Sequence, residues 1–272
     1  MESVELSGQV WRYQTYGSPT RPALVLLHGF TGSHESWEAL AVRWAARRFV
    51  IVPDLPGHGQ TAASADISEG TMPKMADRLS QLLRRLSISK ASVLGYSMGG
   101  RLALHWAVRH LQQVQCLVLE SASPGLDDMA ARQKRRRQDR ELAQSIETRG
   151  IEWFVPYWSN QPLFQHQSDS LKALENRIRR AQSAMGLAQS LRAAGTGEQE
   201  SLWHNLSDVA VPVLLVTGSQ DAKFCAIAES MESRFPNAKW VCVARSGHTV
   251  HGEQMERFYE VVDAFFAENG SR

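Results

Sequence analysis

The stretch Gly95-Tyr96-Ser97-Met98-Gly99-Gly100 stands between the apolar run Ser92–Leu94 and the amphipathic stretch Met98–Val108. The run is typical of a buried strand, whereas apolar residues at three- and four-residue spacing are typical of a helix. A serine at a sharp strand-to-helix turn is exposed on a strained backbone, and flanking glycines avoid the crowding that a Cβ would cause. The stretch therefore predicts a nucleophile at Ser97.

The same alternation of strand and helix extends through most of the chain. Val4–Leu6 and Val10–Tyr13 alternate like a hairpin, and continuous apolar runs predict strands that are covered on both faces. Strands that alternate with helices imply βαβ units and a mostly parallel sheet, that is, an α/β fold. The remaining predicted strands are Ala23–Leu27, Phe49–Val52, Gln115–Leu119, Val211–Val216 and Lys239–Val243, and the other predicted helices are Glu35–Arg47, Met75–Leu86 and Glu253–Glu268.

Residues 123–205 contain no convincing strand, begin at Ser123-Pro124-Gly125 and are rich in Arg, Gln, Trp and Met. We therefore expect a core in two parts, residues 1–122 and 206–272, with a helical cap of residues 123–205 inserted between them. The segment 132–140 holds six basic residues and one acid, which by itself is typical of a solvated helix face. Arg132, Arg135, Arg136 and Arg140 are predicted to project from one face of that helix, with Arg137 on the opposite side.

Two polar residues after late strands are candidates to complete a catalytic triad with Ser97. Asp221 follows Val211–Val216, and His248 follows the last predicted strand. The chain order serine, aspartate, histidine is that of α/β hydrolases. Glu120, at the end of another strand, remains an alternative for the acid, and His251 is a weaker candidate base that we interpret as lying behind His248.

Two backbone amides are candidates for an oxyanion hole. The amide of Phe30 follows a predicted strand in His28-Gly29-Phe30-Thr31-Gly32, the usual place for one donor. The amide of Met98 opens the helix after Ser97, where the helix terminus adds partial positive charge. We interpret His28, His58 and His105 as structural.

At these residues the chain resembles the α/β-hydrolase superfamily, and more narrowly the 2-succinyl-6-hydroxy-2,4-cyclohexadiene-1-carboxylate (SHCHC) synthases of menaquinone and phylloquinone biosynthesis. Many superfamily members carry a proline shortly after the acid, whereas this chain has Lys223-Phe224 there, as the synthases do. The narrower resemblance rests on GYSMGGR at 95–101, ESASPGL at 120–126, Trp158 followed by QPLF at 161–164, SLR at 190–192 with GTG at 195–197, DAKF at 221–224, and GHTVHGE at 247–253.

The resemblance implies a lyase that needs no cofactor or metal. Its reaction would eliminate pyruvate from 2-succinyl-5-enolpyruvyl-6-hydroxy-3-cyclohexene-1-carboxylate to give SHCHC, by proton abstraction through the triad Ser97, Asp221 and His248. The substrate would carry three carboxylates. The resemblance also implies substrate contacts from Tyr96, Arg101, Arg135, Trp158, Arg179 and Lys223, with Arg180 as the alternative to Arg179.

Independently of the resemblance, the position and chemistry of Arg101 favour a role in binding a carboxylate. It lies four residues after Ser97, so both side chains can face one space. A cation in the first turn of a helix opposes the helix dipole. A planar, bidentate donor suits a carboxylate but gives no advantage with a neutral ester. The alternative is a surface arginine whose head group reaches solvent.

Composition excludes several classes of protein. The 272 residues carry 30 basic and 28 acidic side chains, too even a balance for a general nucleic-acid-binding surface. The apolar runs are shorter than the roughly 20 residues of a membrane helix, and residues 1–17 are unlike a secretory signal. Cys116, Cys225 and Cys242 show no C-x-x-C spacing and are interpreted as reduced thiols.

We therefore expect a cytoplasmic enzyme whose only partner is a small anionic substrate. Neither a metal motif nor the dinucleotide motif G-x-G-x-x-G is present. Oligomeric state leaves no clear signal, and a monomer is the expectation. Two other functions remain open: a serine ester or carbon–carbon-bond hydrolase acting on a small carboxylate-bearing substrate, and a non-catalytic receptor that keeps the triad as a ligand pocket.

Overall fold

Eight strands run through the described part of the chain, residues 1–270 of a computed structural model. Residues 271 and 272, the end of the predicted second core part, lie outside the described residues. The strands are β1 (Glu2–Leu6), β2 (Gln9–Tyr16), β3 (Ala23–Leu27), β4 (Phe49–Pro53), β5 (Ala91–Tyr96), β6 (Val114–Glu120), β7 (Val213–Gly218) and β8 (Ala238–Val243).

The strands form one sheet in the order β1-β2-β4-β3-β5-β6-β7-β8. β1 pairs with β2 and β2 with β4 in antiparallel fashion, whereas the pairs from β4 to β8 are parallel. The predicted α/β class with a mostly parallel sheet is therefore confirmed. The helices are α1 (Glu38–Trp44), α2 (Met72–Arg85), α3 (Met98–Arg109), α4 (Met129–Ser159), α5 (Asp169–Arg180), α6 (Ala184–Ala194), α7 (Ala222–Glu232), α8 (Val250–Glu253) and α9 (Met255–Asn269).

The predicted helix Glu35–Arg47 is wrong at both ends. A short 3₁₀ helix, His34–Trp37, comes first, and α1 occupies only Glu38–Trp44. The Ser33 hydroxyl accepts a hydrogen bond from the amide of Glu35, which starts the 3₁₀ turn at that point.

The central strands are buried on both faces, which explains their continuous apolar sequences. In β3, Val25 and Leu27 pack into one core cluster, with side chains of α2 and α3. Leu24 and Leu26 of the same strand pack into the opposite cluster, which α1 and α9 cover. Because side chains alternate across a strand, a layer of helices on each face requires apolar residues at every position.

The chain between β6 and β7 is helical. No strand lies between residues 121 and 212 in the structure as described, and α4, α5 and α6 fill most of this segment. Gly150 breaks α4 with a φ of 77° and a ψ of 179°, a conformation that is almost restricted to glycine. A third apolar cluster joins α4 to α6 through Ile146, Phe154 and Leu187. The division into 1–122, 123–205 and 206–272 stays a prediction.

The length and the polarity of a helix decide whether it could cross a membrane. None of the helices in residues 1–270 is both long and apolar enough to cross a bilayer.

Candidate active site

The turn that carries Ser97 is strained and closely packed. Ser97 has a φ of 50° and a ψ of −108°, and its amide donates a 2.9 Å hydrogen bond to the carbonyl of Glu120. A Cβ on Gly95 would lie 2.3 Å from the carbonyl oxygen of Gly99, and one on Gly99 would lie 2.2 Å from that of Leu27. Glycine is therefore required at both positions, and β5, α3 and the end of β3 meet closely around the serine.

The structure brings Ser97, His248 and Asp221 together. His248 is 1% exposed; its Nε2 lies 3.1 Å from Ser97 Oγ and its Nδ1 lies 2.7 Å from Asp221 Oδ2. The other carboxylate oxygen of Asp221 accepts from the amide of Phe224 and so caps α7. In this arrangement the imidazole can accept the serine proton while the carboxylate holds its second nitrogen protonated.

Glu120, the alternative acid, is engaged elsewhere. Its carboxylate accepts hydrogen bonds from His251 Nδ1 at 2.8 and 2.9 Å and from the His251 amide at 2.9 Å. The His251 ring lies 4.8 Å from the Tyr96 ring and 4.4 Å from that of Trp37, between centroids. A second acid–histidine pair thus lies behind Tyr96, and within residues 1–270 neither of its members forms a hydrogen bond with His248.

This second pair leads to a prediction about pH. Burial lowers the pKa of His251, but the opposing attraction and hydrogen bonds of Glu120, with smaller contributions from Glu175 and Glu253, raise it above 6.5. The pair should therefore stabilise the fold fully below the unfolded pKa, and the stabilisation should be lost as pH rises through the raised pKa. We expect Glu120→Gln to lower the free energy of unfolding by about 1.5–3 kcal/mol near pH 6.

Urea titrations of wild type and Glu120→Gln between pH about 5.5 and 9 would measure this difference. It should shrink as pH rises, and NMR should show a lower pKa of His251 in the variant. A difference that stays constant over this range would contradict the prediction.

The two proposed oxyanion donors flank Ser97. A Cβ on Gly29 would lie 2.7 Å from the Tyr96 ring and 3.6 Å from the Ser97 Cβ, so the turn after β3 touches the serine turn. Phe30 follows in that turn, and Met98 is the first residue of α3. Neither amide N–H donates a hydrogen bond to another group within residues 1–270. Both donors remain available for an anionic oxygen.

Arg101 is half-buried and bonded only to neutral groups. Its Nη1 donates 2.9 Å hydrogen bonds to the Ala194 carbonyl and to Gln199 Oε1. Across the described chain it forms no ion pair with a carboxylate within 4.0 Å. Burial, and then the neighbouring charge of Arg135, lower its pKa to about 10, so it keeps its charge at neutral pH. Such a guanidinium is suited to bind an anion.

The other two predicted arginines have carboxylate partners. Arg135 Nε lies 2.7 Å from Asp139 Oδ1, and its side chain is 36% exposed. Arg179 is buried, forms an ion pair with Glu175 and donates to Thr31 Oγ1 at 3.3 Å. Arg179 therefore lies beside the turn after β3, whereas Arg135 is close enough to Arg101 for its charge to act on the Arg101 pKa.

The structure also separates Arg179 from its alternative. Arg180 is exposed, with its Nε 3.7 Å from a Glu152 oxygen, whereas the Arg179 guanidinium lies 5.1 Å from the centre of the buried Phe164 ring. Of the two residues, Arg179 is the one that points inward.

A cavity of about 320 Å³ adjoins the triad. Ser97 and His248 are not among its lining residues, so the cavity lies beside the triad rather than around it. It joins an apolar wall to charged groups, which suits a ligand with both characters. The lining includes Phe30, Tyr96, Phe164, Glu175, Arg179 and His251.

Of three further predicted substrate contacts, Tyr96 lines this cavity, whereas Trp158 and Lys223 are not among its lining residues. Trp158 packs against the Phe30 ring, 5.3 Å away between centroids. The Tyr96 hydroxyl is 2.9 Å from Thr249 Oγ1. Lys223 is exposed next to Phe224, whose ring lies 4.6 Å from that of His248. The structure therefore places Tyr96 at the cavity, Trp158 against the Phe30 ring and Lys223 on the exposed first turn of α7.

Sequence reasoning missed three residues that contact predicted site residues. Gln199 accepts from Arg101, Thr31 accepts from Arg179, and the Phe164 ring lies 6.4 Å from His248. Thr31 and Phe164 lie inside motifs named above, and Gln199 lies two residues after one. Their position in or beside a motif could therefore have identified them as candidate site residues.

The three histidines that we interpreted as structural are buried. His28 Nε2 accepts from the amide of Leu55 at 3.0 Å, and burial lowers the pKa of both His58 and His105 to about 3. These histidines are neutral, and among the described residues none of them forms a hydrogen bond with Ser97, Asp221 or His248.

The fold and the arrangement around Ser97 define the class of α/β hydrolases, and residues 22–254 match the family model described as alpha/beta hydrolase fold. A Bacillus subtilis (strain 168) protein, provisionally named SHCHC synthase, is 39% identical over 92% of each chain. The SHCHC synthase of Escherichia coli O17:K52:H18 (strain UMN026 / ExPEC) is 32% identical over 88% of this chain and 91% of its own. The chain belongs to the SHCHC synthase family.

A solved structure of MenH from S. aureus agrees with this assignment. It superposes with a TM-score of 0.90 at 32% identity, over 94% of this chain and 98% of that one. The similarity includes the helical segment between β6 and β7 as well as the sheet, because so little of either chain is left out.

Proposed function

We propose that this protein is a lyase that eliminates pyruvate from 2-succinyl-5-enolpyruvyl-6-hydroxy-3-cyclohexene-1-carboxylate to give SHCHC, a step of menaquinone or phylloquinone biosynthesis. The observation that carries the proposal is Arg101, a half-buried cation without a carboxylate partner in residues 1–270, one helical turn from Ser97. The names of the Bacillus subtilis and Escherichia coli relatives support it.

In the first step, Ser97 removes a proton from the substrate while His248 Nε2 takes the serine proton. The 3.1 Å separation of these atoms suits that transfer. Asp221, 2.7 Å from Nδ1, stabilises the imidazolium that forms. The electron pair of the broken C–H bond is delocalised onto the adjacent carbonyl, and an enolate forms. The amides of Phe30 and Met98 would bind the enolate oxygen.

In the second step, the enolate collapses to a ring double bond and the carbon–oxygen bond to the enolpyruvyl group breaks. The His248 imidazolium gives its proton to the leaving enolpyruvate, which becomes pyruvate, and the triad returns to its starting state. No acyl-enzyme forms, since the serine acts as a base. Side chains and backbone amides of this chain are sufficient for both reaction steps, so we propose no cofactor and no metal.

The carboxylates of the substrate would be held by three arginines. Arg101 would bind one, with Arg135 beside it, and Arg179 would bind another from the cavity next to Tyr96. Trp158 would form an apolar wall, and Lys223 would contact the substrate from the exposed first turn of α7. Because Arg135 and Arg179 are paired with Asp139 and Glu175, a substrate would have to share or replace those partners.

The direct test is a pyruvate-release assay on the enolpyruvyl substrate, run beside hydrolysis of a p-nitrophenyl ester. We expect pyruvate and SHCHC in equal amounts, with the ester turned over far more slowly. Ester hydrolysis without pyruvate release would support the hydrolase alternative. Binding of the substrate with turnover of neither compound would support a receptor.

Ionic strength gives a second prediction. A substrate with three negative charges is attracted by Arg101, Arg135 and Arg179, and salt screens that attraction where solvent reaches it. We expect KM to rise at least about threefold between roughly 20 and 500 mM salt, with little change in kcat. The neutral p-nitrophenyl ester is the control, because its KM should not follow salt; a salt-independent KM for the tricarboxylate would contradict the prediction.

We also propose a cytoplasmic, monomeric enzyme whose partner is the small anionic substrate. The support for the compartment is that Cys116, Cys225 and Cys242 are all free thiols, as is usual where glutathione and thioredoxin keep cysteines reduced. The nearly even charge balance supports the absence of a nucleic-acid partner.

A further inference from the structure

Two cysteines that are distant in sequence meet beside the loop that carries Asp221. Cys225 lies in the first turn of α7 and Cys242 in β8, and their Sγ atoms are 3.7 Å apart. Trp240 and Cys242 share the face of β8 that is turned toward α7, since side chains alternate along a strand. The 3.7 Å separation is a van der Waals contact between two thiols, and a disulfide requires about 2.05 Å.

The two thiols differ in access. Cys242 is exposed, whereas Cys225 is partly buried, with its Sγ 3.2 Å from the carbonyl of Gly218 and 3.3 Å from Thr217 Oγ1. Burial first, and then the nearby Cys242 and Asp221, raise the pKa of the Cys225 thiol. Cys242 is therefore the thiol that an external reagent reaches first, and Cys225 is placed to attack the product.

Cys225 is also tied to the proposed catalytic acid. Its amide donates a 3.0 Å hydrogen bond to the carbonyl of Asp221, in the turn between β7 and α7. A shift of the first turn of α7 therefore moves the backbone of Asp221, whose Oδ2 must stay within hydrogen-bonding distance of His248.

We propose that Cys225 and Cys242 form a dithiol that small disulfides such as oxidised glutathione convert to an internal disulfide, and that this bond slows turnover by displacing Asp221. The thiolate of Cys242 attacks one sulfur of the small disulfide, forms a mixed disulfide and releases one small thiol. Cys225 then attacks the Cys242 sulfur and releases the second thiol, which takes the Cys225 proton. Two protein thiols are oxidised, and one small disulfide is reduced to two thiols.

Formation of the disulfide would disrupt local contacts, and the resulting strain would make the bond easy to reduce. Closing 3.7 Å to about 2.05 Å draws α7 and β8 together and removes the Cys225 S–H that faces the Gly218 carbonyl. Exposed or strained disulfides have more oxidising potentials than structural ones, so cytosolic thiols would reduce this one again. The dithiol state is the resting state, and the disulfide forms under oxidising conditions.

The thiol chemistry is tested on the full chain with oxidised glutathione, with intact mass and peptide mapping as readouts. Wild type should lose two hydrogens and retain no glutathione. Cys225→Ser should stop at one glutathione on Cys242, and Cys242→Ser should remain unmodified over the same time. Wild type that retains glutathione, or Cys242→Ser that reacts as fast as wild type, would overturn the proposal. Cys116→Ser is the matched control, because Cys116 is fully buried in β6.

The link to Asp221 is tested by activity, and only this arm rests on the proposed function. We expect kcat of oxidised wild type to fall between about threefold and a hundredfold, to recover with dithiothreitol, and the pH profile of kcat/KM to shift. Cys225→Ser carrying glutathione should keep its activity, since its adduct faces solvent. Unchanged kcat in the mapped disulfide form would disprove the link. Reduced enzyme that releases no pyruvate would instead count against the proposed function, and the mass data would be unaffected.

Discussion

Replacing Ser97 or His248 with alanine should lower kcat for pyruvate release at least about a hundredfold while the fold stays intact. General-base assistance contributes typically about 10²–10⁴-fold, and the serine and histidine act here as one unit. The single contact between them, 3.1 Å from Nε2 to Oγ, is lost in either variant. The measurement is single-turnover pyruvate release, with circular dichroism to check folding.

The double variant separates a common role from two independent ones. If both residues serve one proton transfer, Ser97→Ala with His248→Ala should be no slower than the slower single variant. Near-normal kcat in both single variants would remove the triad from the mechanism.

The same assay decides between the two candidate acids. Asp221→Asn should be nearly as damaging as His248→Ala, because an amide favours the wrong histidine tautomer, an effect worth about 10⁴-fold in a comparable triad. Glu120→Gln is the matched control, since Glu120 bonds His251 rather than His248. We expect its kcat to change far less, and a larger loss in Glu120→Gln than in Asp221→Asn would show that the choice of acid is wrong.

The second large effect is expected at Arg101. Its removal deprives a substrate carboxylate of a charge-assisted hydrogen bond, worth about 1.5–3 kcal/mol, which is roughly a 10- to 150-fold loss in kcat/KM. Arg101→Lys should recover little, because an ammonium group cannot reproduce the planar fork of the guanidinium. Arg137→Ala, an exposed position on the same helix as Arg135, should cost almost nothing.

Arg101 also donates to the Ala194 carbonyl and to Gln199, so its loss could act through packing alone. Two readouts separate the roles. A packing defect should lower Tm and kcat with any substrate, whereas loss of an anion contact should reduce kcat/KM for the tricarboxylate and leave the neutral ester unchanged. Unchanged kcat/KM for the tricarboxylate in Arg101→Ala would contradict the proposed anion site.

The strands and the serine turn could be predicted because their signals are local. A strand covered on both faces needs an apolar residue at every position, so runs such as Ala23–Leu27 mark it without knowledge of its neighbours. The turn at Ser97 needs glycines at fixed offsets, since a Cβ at Gly95 or Gly99 would collide with backbone. Helix ends were less accurate: the Ser33 cap starts a 3₁₀ turn at His34–Trp37, and α1 follows only from Glu38, although the apolar spacing runs on without a break.

By itself, the sequence determined the α/β class, the positions of the eight strands and the set of candidate groups, because periodicity and turn chemistry act over a few residues. Only the tertiary structure decided which groups meet. It placed Asp221 rather than Glu120 against His248, and it turned Arg179 inward and Arg180 outward. It also brought Cys225 to Cys242 without any motif spacing between them. Such contacts join residues far apart in the chain, and the packing of whole strands and helices sets their distances.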